Sequence, residues 1–329
     1  MENQKSPFRV VSLFAGVGGI DLAFKQAGAS VIWANDFDKF ARRTFELNFP
    51  QINFDPRSIT EIPTADIPDH DILTAGFPCQ AFSIAGYRQG FSDHRGNLFF
   101  EIERILLEKE NKPAAIFLEN VKNLKSHDRK NTFRVIAEKL SSAGYYIKEK
   151  VLNTAEYGGV PQNRERIYIV GFRDKKLTEV FNFPDKIELS KTVFDIIDRS
   201  IRQKDIFYYT EKSQYYPMLS EALKNGNTNT VFQIRRVYIR ENKSQLCPTL
   251  TANMGTGGHN VPIIRDNFGI RKLTPSEAFK FQGFPVNFIL PEDLANSHLY
   301  KQAGNSVSVP VITRIAENII KVLGGTRQS

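Results

Sequence analysis

Cys79 stands directly behind Pro78, after the strand-like run His70-Asp71-Ile72-Leu73-Thr74-Ala75, and is one of two cysteines in 329 residues. Gly76, Gly86 and Gly90 surround it. A thiol at the carboxyl end of a strand, on a loop able to move, is where an α/β protein places a nucleophile. Taken alone, a free cysteine is more often a small buried residue, so its neighbours in the chain decide. Glu119 follows the wholly apolar run 114–118 (AAIFL) and therefore also emerges at a strand end. Held there by partial burial it would act as an acid or hydrogen-bond donor; the alternative is a plain cap on the following turn. Gln162-Asn163-Arg164-Glu165-Arg166 precedes another apolar run, 166–172. One of these arginines could orient an anionic or carbonyl group, and the other could pair with Glu165 or with phosphate.

The cofactor signal lies near the start of the chain. Phe14-Ala15-Gly16-Val17-Gly18-Gly19 sits between a β-branched run, 8–13, and a helix-like segment closed by Gly28. A turn of this kind brings a ligand to the free N–H groups of a helix start. It is not the dinucleotide fingerprint, because its glycines are 16, 18 and 19, nor a phosphate loop, because the Lys-Ser/Thr pair is missing. The next strand, 30–35, ends at Asp36, placed to accept from ribose hydroxyls, with Phe37 available to lie on an adenine face. Carboxylate, aromatic ring and no phosphate device suit S-adenosylmethionine. An ordinary tight turn followed by a surface aspartate is the competing explanation.

The elements that must hold these residues alternate strand and helix with short glycine turns up to about residue 173, which predicts a doubly wound, mostly parallel α/β sheet. From about 183 the pattern breaks, and 186–275 reads as a smaller domain rich in strands and loops. The expected division is a catalytic domain over 1–185, completed by 300–329, a second domain over 186–275 and a connecting segment over 276–299. The net charge is +8, and 186–275 holds 14 Lys+Arg against 8 Asp+Glu, a net of +6 that leaves +2 for the rest. A positive excess confined to one segment points to an acidic partner such as nucleic acid. No apolar stretch approaches the roughly 18 residues of a membrane span, and the start of the chain lacks the apolar core of a secretion signal. Two distant cysteines make no disulfide framework, so a cytoplasmic location is expected. Cys247 is expected to be structural, and His259 has no second ligand at metal spacing.

The ordered set FAGVGG, GFPCQAFSIAG, LENVKN, QNRERIYIVGF and QAGNSVSVP resembles the bacterial DNA cytosine-5 methyltransferases of restriction–modification systems. The resemblance covers about 8–173 and 271–322, and in that family the segment between is the variable target-recognition domain. It implies a Rossmann-like fold that binds S-adenosylmethionine without a metal. Cys79 would add as thiolate to ring carbon-6 of cytosine, with Pro78 fixing the backbone before it. Glu119 would bond to the ring nitrogen and exocyclic amine. Arg166 would hold the base carbonyl and orient Glu119, and Arg164 would assist near the thiol. The cofactor would meet 14–19, Asp36, Phe37, Ser58, Ile59, Pro78 and Leu98, with Asn305 and Ser306 closing the pocket. Because a stacked cytosine is inaccessible, the base must be flipped out of duplex DNA, and the loop 78–97 would close over it.

Ser83, Arg235, Arg236, Arg240, Thr249, Thr251 and Asn253 are the candidate DNA contacts, with Arg265 a further basic candidate. The chain departs from the family in having Arg57-Ser58-Ile59 where an acid commonly meets the adenine amine, and Ala85 where a serine can occur. The implied enzyme is a monomer paired functionally with a restriction endonuclease. Cytosine-5 methylation of tRNA and a non-catalytic DNA-binding homologue are the alternatives; the sizeable basic segment favours duplex DNA. A cysteine hydrolase would want a histidine near the thiol, and His70 and His94 lack a triad context.

Overall fold

The computed structural model describes residues 7–77, 98–227, 229–256 and 260–326. The chain forms two compact units, one of Met1–Leu152, Glu165–Asp185 and Val311–Ser329, the other of Asn153–Arg164 and Lys186–Pro310. The segment 276–299, expected as a connector, and residues 300–310 thus fall within the second unit.

In chain order the first eight strands are β1 (Arg9–Leu13), β2 (Ser30–Asn35), β3 (Asn53–Asp55), β4 (Ile72–Gly76), β5 (Ala115–Val121), β6 (Tyr146–Asn153), the two-residue β7 (Gln162–Asn163) and β8 (Glu165–Phe172). All but β7 form one seven-stranded sheet in the order β3-β2-β1-β4-β5-β8-β6. Pairs β1–β2, β2–β3, β1–β4 and β4–β5 are parallel and β5–β8 is antiparallel. The chain therefore starts in the middle of the sheet, runs outward to β3, and returns to build β4 and β5 on the other side of β1. Strand order reverses between β1 and β4, which is where open α/β sheets bind ligands.

Burial explains these strands. Val10, Val11 and Leu13 of β1, Ile72 and Leu73 of β4, and Ala115 to Leu118 of β5 are wholly buried, as strands covered on both faces must be. Helices supply the cover. Helix α1 (Gly19–Gln26) stops before Gly28, which adopts φ +92°. Helix α2 (Lys39–Asn48) is capped by Asp38, whose carboxylate accepts from the Phe40 and Ala41 N–H groups. Helix α3 (Leu98–Glu108) buries Phe99, Ile102, Ile105 and Leu106, one stripe at helical spacing. Among the described residues no helix is long and apolar enough to cross a membrane.

The second unit has its own core of Leu219, Leu223, Phe232, Ile234, Ile263 and Ile270. Strands β9 (Phe232–Ile234), β10 (Ile239–Glu241), β12 (Ile263–Arg265) and β13 (Ile270–Lys272) form an antiparallel sheet in the order β10-β9-β12-β13. The short β11 (Cys247–Pro248) pairs in parallel with β7. A helix over Pro275–Phe281 begins with a full capping box between Thr274 and Glu277. Behind it lies a buried ionic cluster: Arg271 donates to Asp266 at 2.6 Å and to both Glu277 oxygens at 2.8 Å, and the Tyr208 hydroxyl donates to Asp266 at 2.9 Å.

Candidate active site

The reversal of strand order sets two chain segments side by side. Leu13, the last residue of β1, pairs with Ala75 of β4, and Gly76 pairs with Glu119 of β5. The glycine turn leaves from the first strand and the cysteine loop from the second. Leaving β1, Phe14 takes φ 54° and Gly16 φ 57°. The Ala15 N–H donates to the Asn35 carbonyl at 2.9 Å. Gly18, at φ 86°, is the N-cap of α1, and a Cβ there would come within 2.3 Å of the Phe49 ring. Both the backbone angle and the space demand glycine at that position.

Asp36 fastens the two turns. Its carboxylate accepts from the Gly16 N–H and from the Asp38 N–H, each at 2.8 Å. Phe37 beside it is 70% exposed, and a side chain added at Gly16 would meet nothing within 4 Å. A half-buried carboxylate, an uncovered ring and an open backbone turn fit the adenosine part of S-adenosylmethionine. On the next strand end, Asn35 is buried and donates to the carbonyls of Asp55 and Arg57 at 2.9 and 2.8 Å. Arg57 itself pairs with Asp55 and Asp66. Ser58 shares a hydrogen bond with Thr60 at 2.8 Å, and Ile59 is buried. Leu98, at the start of α3, packs partly buried against the core.

Glu119 is 8% exposed, and the Arg166 Nε lies 3.2 Å from its Oε1. The antiparallel pairing of β5 with β8 makes this possible, because it places Val121 opposite Arg166. The Arg166 Nη1 also donates to the Glu165 carbonyl at 2.8 Å, and the Glu165 carboxylate takes Lys122. Of the two arginines, Arg166 is the one brought to Glu119. Asn120, within the LENVKN motif, was given no role of its own in the sequence reading. It is buried and donates to the Phe77 carbonyl at 2.8 Å while its own Oδ1 accepts from the Val121 N–H at 2.8 Å. It thereby fixes the backbone immediately before Pro78. An amide directly after a fully apolar strand and an acid was the available signal. Cys79, Pro78 and Ser83 themselves lie outside the described residues.

Arg164 belongs to the second unit and does different work. It is 2% exposed, donates to the Leu250 carbonyl at 2.8 Å, and also donates to the Ser306 carbonyl. The Thr249 hydroxyl donates to the Asn163 carbonyl at 2.6 Å. Gly304 packs on Thr251 so closely that a Cβ would fall 2.1 Å from its carbonyl carbon. Ser306 is buried, while Asn305, Thr251 and Asn253 are exposed. Arg235 donates to Gln233 at 3.0 Å, and Arg236 and Arg240 are exposed.

Two groups considered from sequence have core environments. Burial pushes the His70 ring down to about 4, and its Nδ1 lies 2.8 Å from the Pro68 carbonyl, so it is a neutral core histidine. Burial likewise pushes the Cys247 thiol far up, which leaves it inert. Among the described residues no cluster of His, Cys, Asp and Glu could hold a metal ion.

Comparison with known proteins gives the family. The family described as C-5 cytosine-specific DNA methylase matches residues 8–321. The Type II methyltransferase M.Bsp6I of Bacillus sp. (strain RFL6) is 56% identical over 317 residues, 95% of this chain and 98% of that relative. The Type II methyltransferase M.SsoII of Shigella sonnei is 41% identical over 335 residues, 98% of this chain and 82% of that relative. In fold the chain resembles a crystal structure of a DNMT2 variant from Spodoptera frugiperda, with TM-score 0.74, 22% identity, and coverage of 95% and 99% of the two chains. The chain belongs to the C-5 cytosine-specific DNA methylases.

Proposed function

We propose that the protein methylates carbon-5 of a cytosine within a fixed short sequence of duplex DNA, as the modifying partner of a restriction endonuclease in the cytoplasm. The observation that carries the reading is the Glu119–Arg166 pair at the carboxyl edge of β5 and β8, directly opposite Gly76 and three residues before Cys79. Cytosine is a poor carbon nucleophile. Addition of the Cys79 thiolate to carbon-6 turns carbon-5 into an enamine-like centre. Glu119 holds the ring nitrogen and exocyclic amine as charge builds, and Arg166 keeps that carboxyl group aimed. S-adenosylmethionine would be held on 14–19, Asp36 and Phe37 and would supply the methyl group to carbon-5, leaving as S-adenosylhomocysteine. The carbon-5 proton then leaves to water or hydroxide, and the bond to Cys79 breaks to restore the aromatic ring. Arg164, engaged with main-chain carbonyls, serves this chemistry as a positioning residue. Asn305 and Ser306 are assigned to the cofactor side, and Thr249, Thr251, Asn253 and the arginines 235, 236 and 240 to DNA.

Bisulfite sequencing of DNA from a host expressing the chain tests the reading. One cytosine of a recurring motif is expected to be methylated, and unmodified DNA would overturn it. Cys79→Ser is expected to abolish methylation while S-adenosylhomocysteine binding, followed by calorimetry, stays at the wild-type level.

A further inference from the structure

Asp21 carries a carboxyl group that neither the packing of the first unit nor the proposed chemistry uses. Strand register sets Ser12 of β1 in one row with Thr74 of β4 and Phe117 of β5, on one face of the sheet. Helix α1 covers that face. Its Phe24 meets the Phe117 ring edge-on at 5.4 Å, and a Cβ on Gly76 would fall 3.2 Å from the Ile20 Cδ1. Asp21, next to Ile20 and one turn before Phe24, is thereby laid toward Ser12 behind the glycine turn. Both residues are buried, and neither carboxylate oxygen nor the Ser12 hydroxyl has a well-formed hydrogen bond. The Thr74 hydroxyl in the same row turns to the Val11 carbonyl at 3.4 Å. Burying an unpartnered acid costs stability that an apolar residue of similar size would not.

No cation contributes to the titration of Asp21. On the strands beneath α1, Arg9 stands at the far end of β1 and meets Asp71 before β4 at 3.7 Å. Glu119 of β5 is paired with Arg166. On α1 itself Lys25 is exposed, and the last helix reaches α1 through a neutral contact, the Thr313 hydroxyl donating to Gln26 at 2.9 Å. The charge that does reach Asp21 is that of Asp36. Asp36 is also the residue that holds the Gly16 N–H at 2.8 Å. A carboxyl group that feels Asp36 through the glycine turn also feels a charge seated on that turn.

We infer that Asp21 reads the charge of the cofactor: it releases its proton to solvent when S-adenosylmethionine binds and takes one back once the methyl group has gone, so that the donor is held more firmly than the demethylated product. The inference rests on the reading of 14–19 and Asp36 as the seat of that cofactor. The donor carries a sulfonium and the product a neutral thioether, so the two ligands differ by one positive charge and one methyl group. Only the Asp21 O–H bond changes, and its proton is exchanged with bulk water. Burial pushes the carboxyl group to about 7, which sets the exchange in the neutral range. A unit charge at roughly 10 Å, in a medium of effective dielectric about 20, changes an affinity by about tenfold.

The test is calorimetry on the whole chain. S-adenosylmethionine and S-adenosylhomocysteine are each titrated at about pH 6.5 in two buffers of different ionisation enthalpy, and both affinities are followed from about pH 5.5 to 7.5. Wild type is expected to release about half a proton more with the donor than with the product. Its preference for the donor is expected to grow about fivefold across that range. In Asp21→Asn both the proton difference and the pH dependence of the preference are expected to vanish, while S-adenosylhomocysteine binding reports a folded variant. The amino-acid end is common to both ligands, and comparison with Asp21→Asn removes what remains of its protons. An equal proton count for the two ligands in the wild type overturns the inference whether or not the variant folds. So does a folded variant that keeps the difference. A wild type that binds neither ligand overturns the parent reading, and this inference with it.

Discussion

In the first unit Asp21 is 1% exposed, and burial pushes its carboxyl group up to about 7. Ser12, equally buried, and the backbone offer partial relief but no well-aligned hydrogen bond, and the Asp36 charge adds to the upward push. In the second unit Asp266 and Glu277 are also buried, yet both share the guanidinium of Arg271, itself wholly buried. Equal depth therefore does not bring equal partners. The second unit brings in a cation and uses the cluster to tie β13 to the helix that follows it. The first unit brings none to Asp21, whose carboxyl group keeps its proton over most of the acidic range.

The sharpest way to break the contrast is to remove the shared cation. Arg271→Met leaves two buried carboxylates facing each other, and an expected loss of about 3–5 kcal/mol would be read by denaturant unfolding. Loss below about 1 kcal/mol would mean the cluster is solvated. Asp21→Asn probes the other side. With the folded value near 7 above the ordinary 3.8, the folded state holds more protons between those limits, so stability falls as pH rises from about 4 to 7. Asparagine is itself a buried amide, so the diagnostic is the change between pH 4 and pH 8. That change should favour the variant by roughly 4 kcal/mol at most, at about 1.4 kcal/mol per unit. A difference independent of pH would contradict the assignment.

His70 offers the same test with opposite sign. Its ring is held near 4, below the ordinary 6.5, so the unfolded chain takes up a proton first and stability is lost as pH falls from about 6.5 to 4. His70→Gln should remove an acid loss of about 3 kcal/mol, measured as the pH dependence of unfolding. The smallest effect belongs to the surface. Arg134 and Glu138 pair at 2.6 Å with side chains 62% and 58% exposed. Arg134→Ala should change stability by less than about 0.5 kcal/mol.

What was legible in the sequence follows from how local each cause is. The turn at 14–19 announces itself because positive φ and close approach to Phe49 call for glycine at fixed spacing. Glu119 stands out because a polar residue ends a run of buried ones. The antiparallel insertion of β8 beside β5 was not legible, and it is what selects Arg166 rather than Arg164 as the partner of Glu119. Residues two apart on a strand would share a face, but Arg164 lies just before β8 and the chain passes from one unit to the other between 164 and 165, which sends the two arginines to separate tasks. The partners of Arg164 are carbonyls 86 and 142 residues away, and a carbonyl leaves no mark in a sequence. Asn120 and the Arg271 cluster were missed for related reasons, since one serves main chain and the other depends on tertiary packing.

That the Arg164 guanidinium grips main-chain carbonyls has a consequence for how this enzyme changes over generations. Leu250 and Ser306 are held by atoms that every amino acid possesses, so side chains nearby can be exchanged without re-fitting the clasp. A graft replacing 186–248 with the corresponding stretch of a relative would keep Arg164, Leu250, Gly304 and Ser306 together. A swapped cassette would inherit the fastening unchanged.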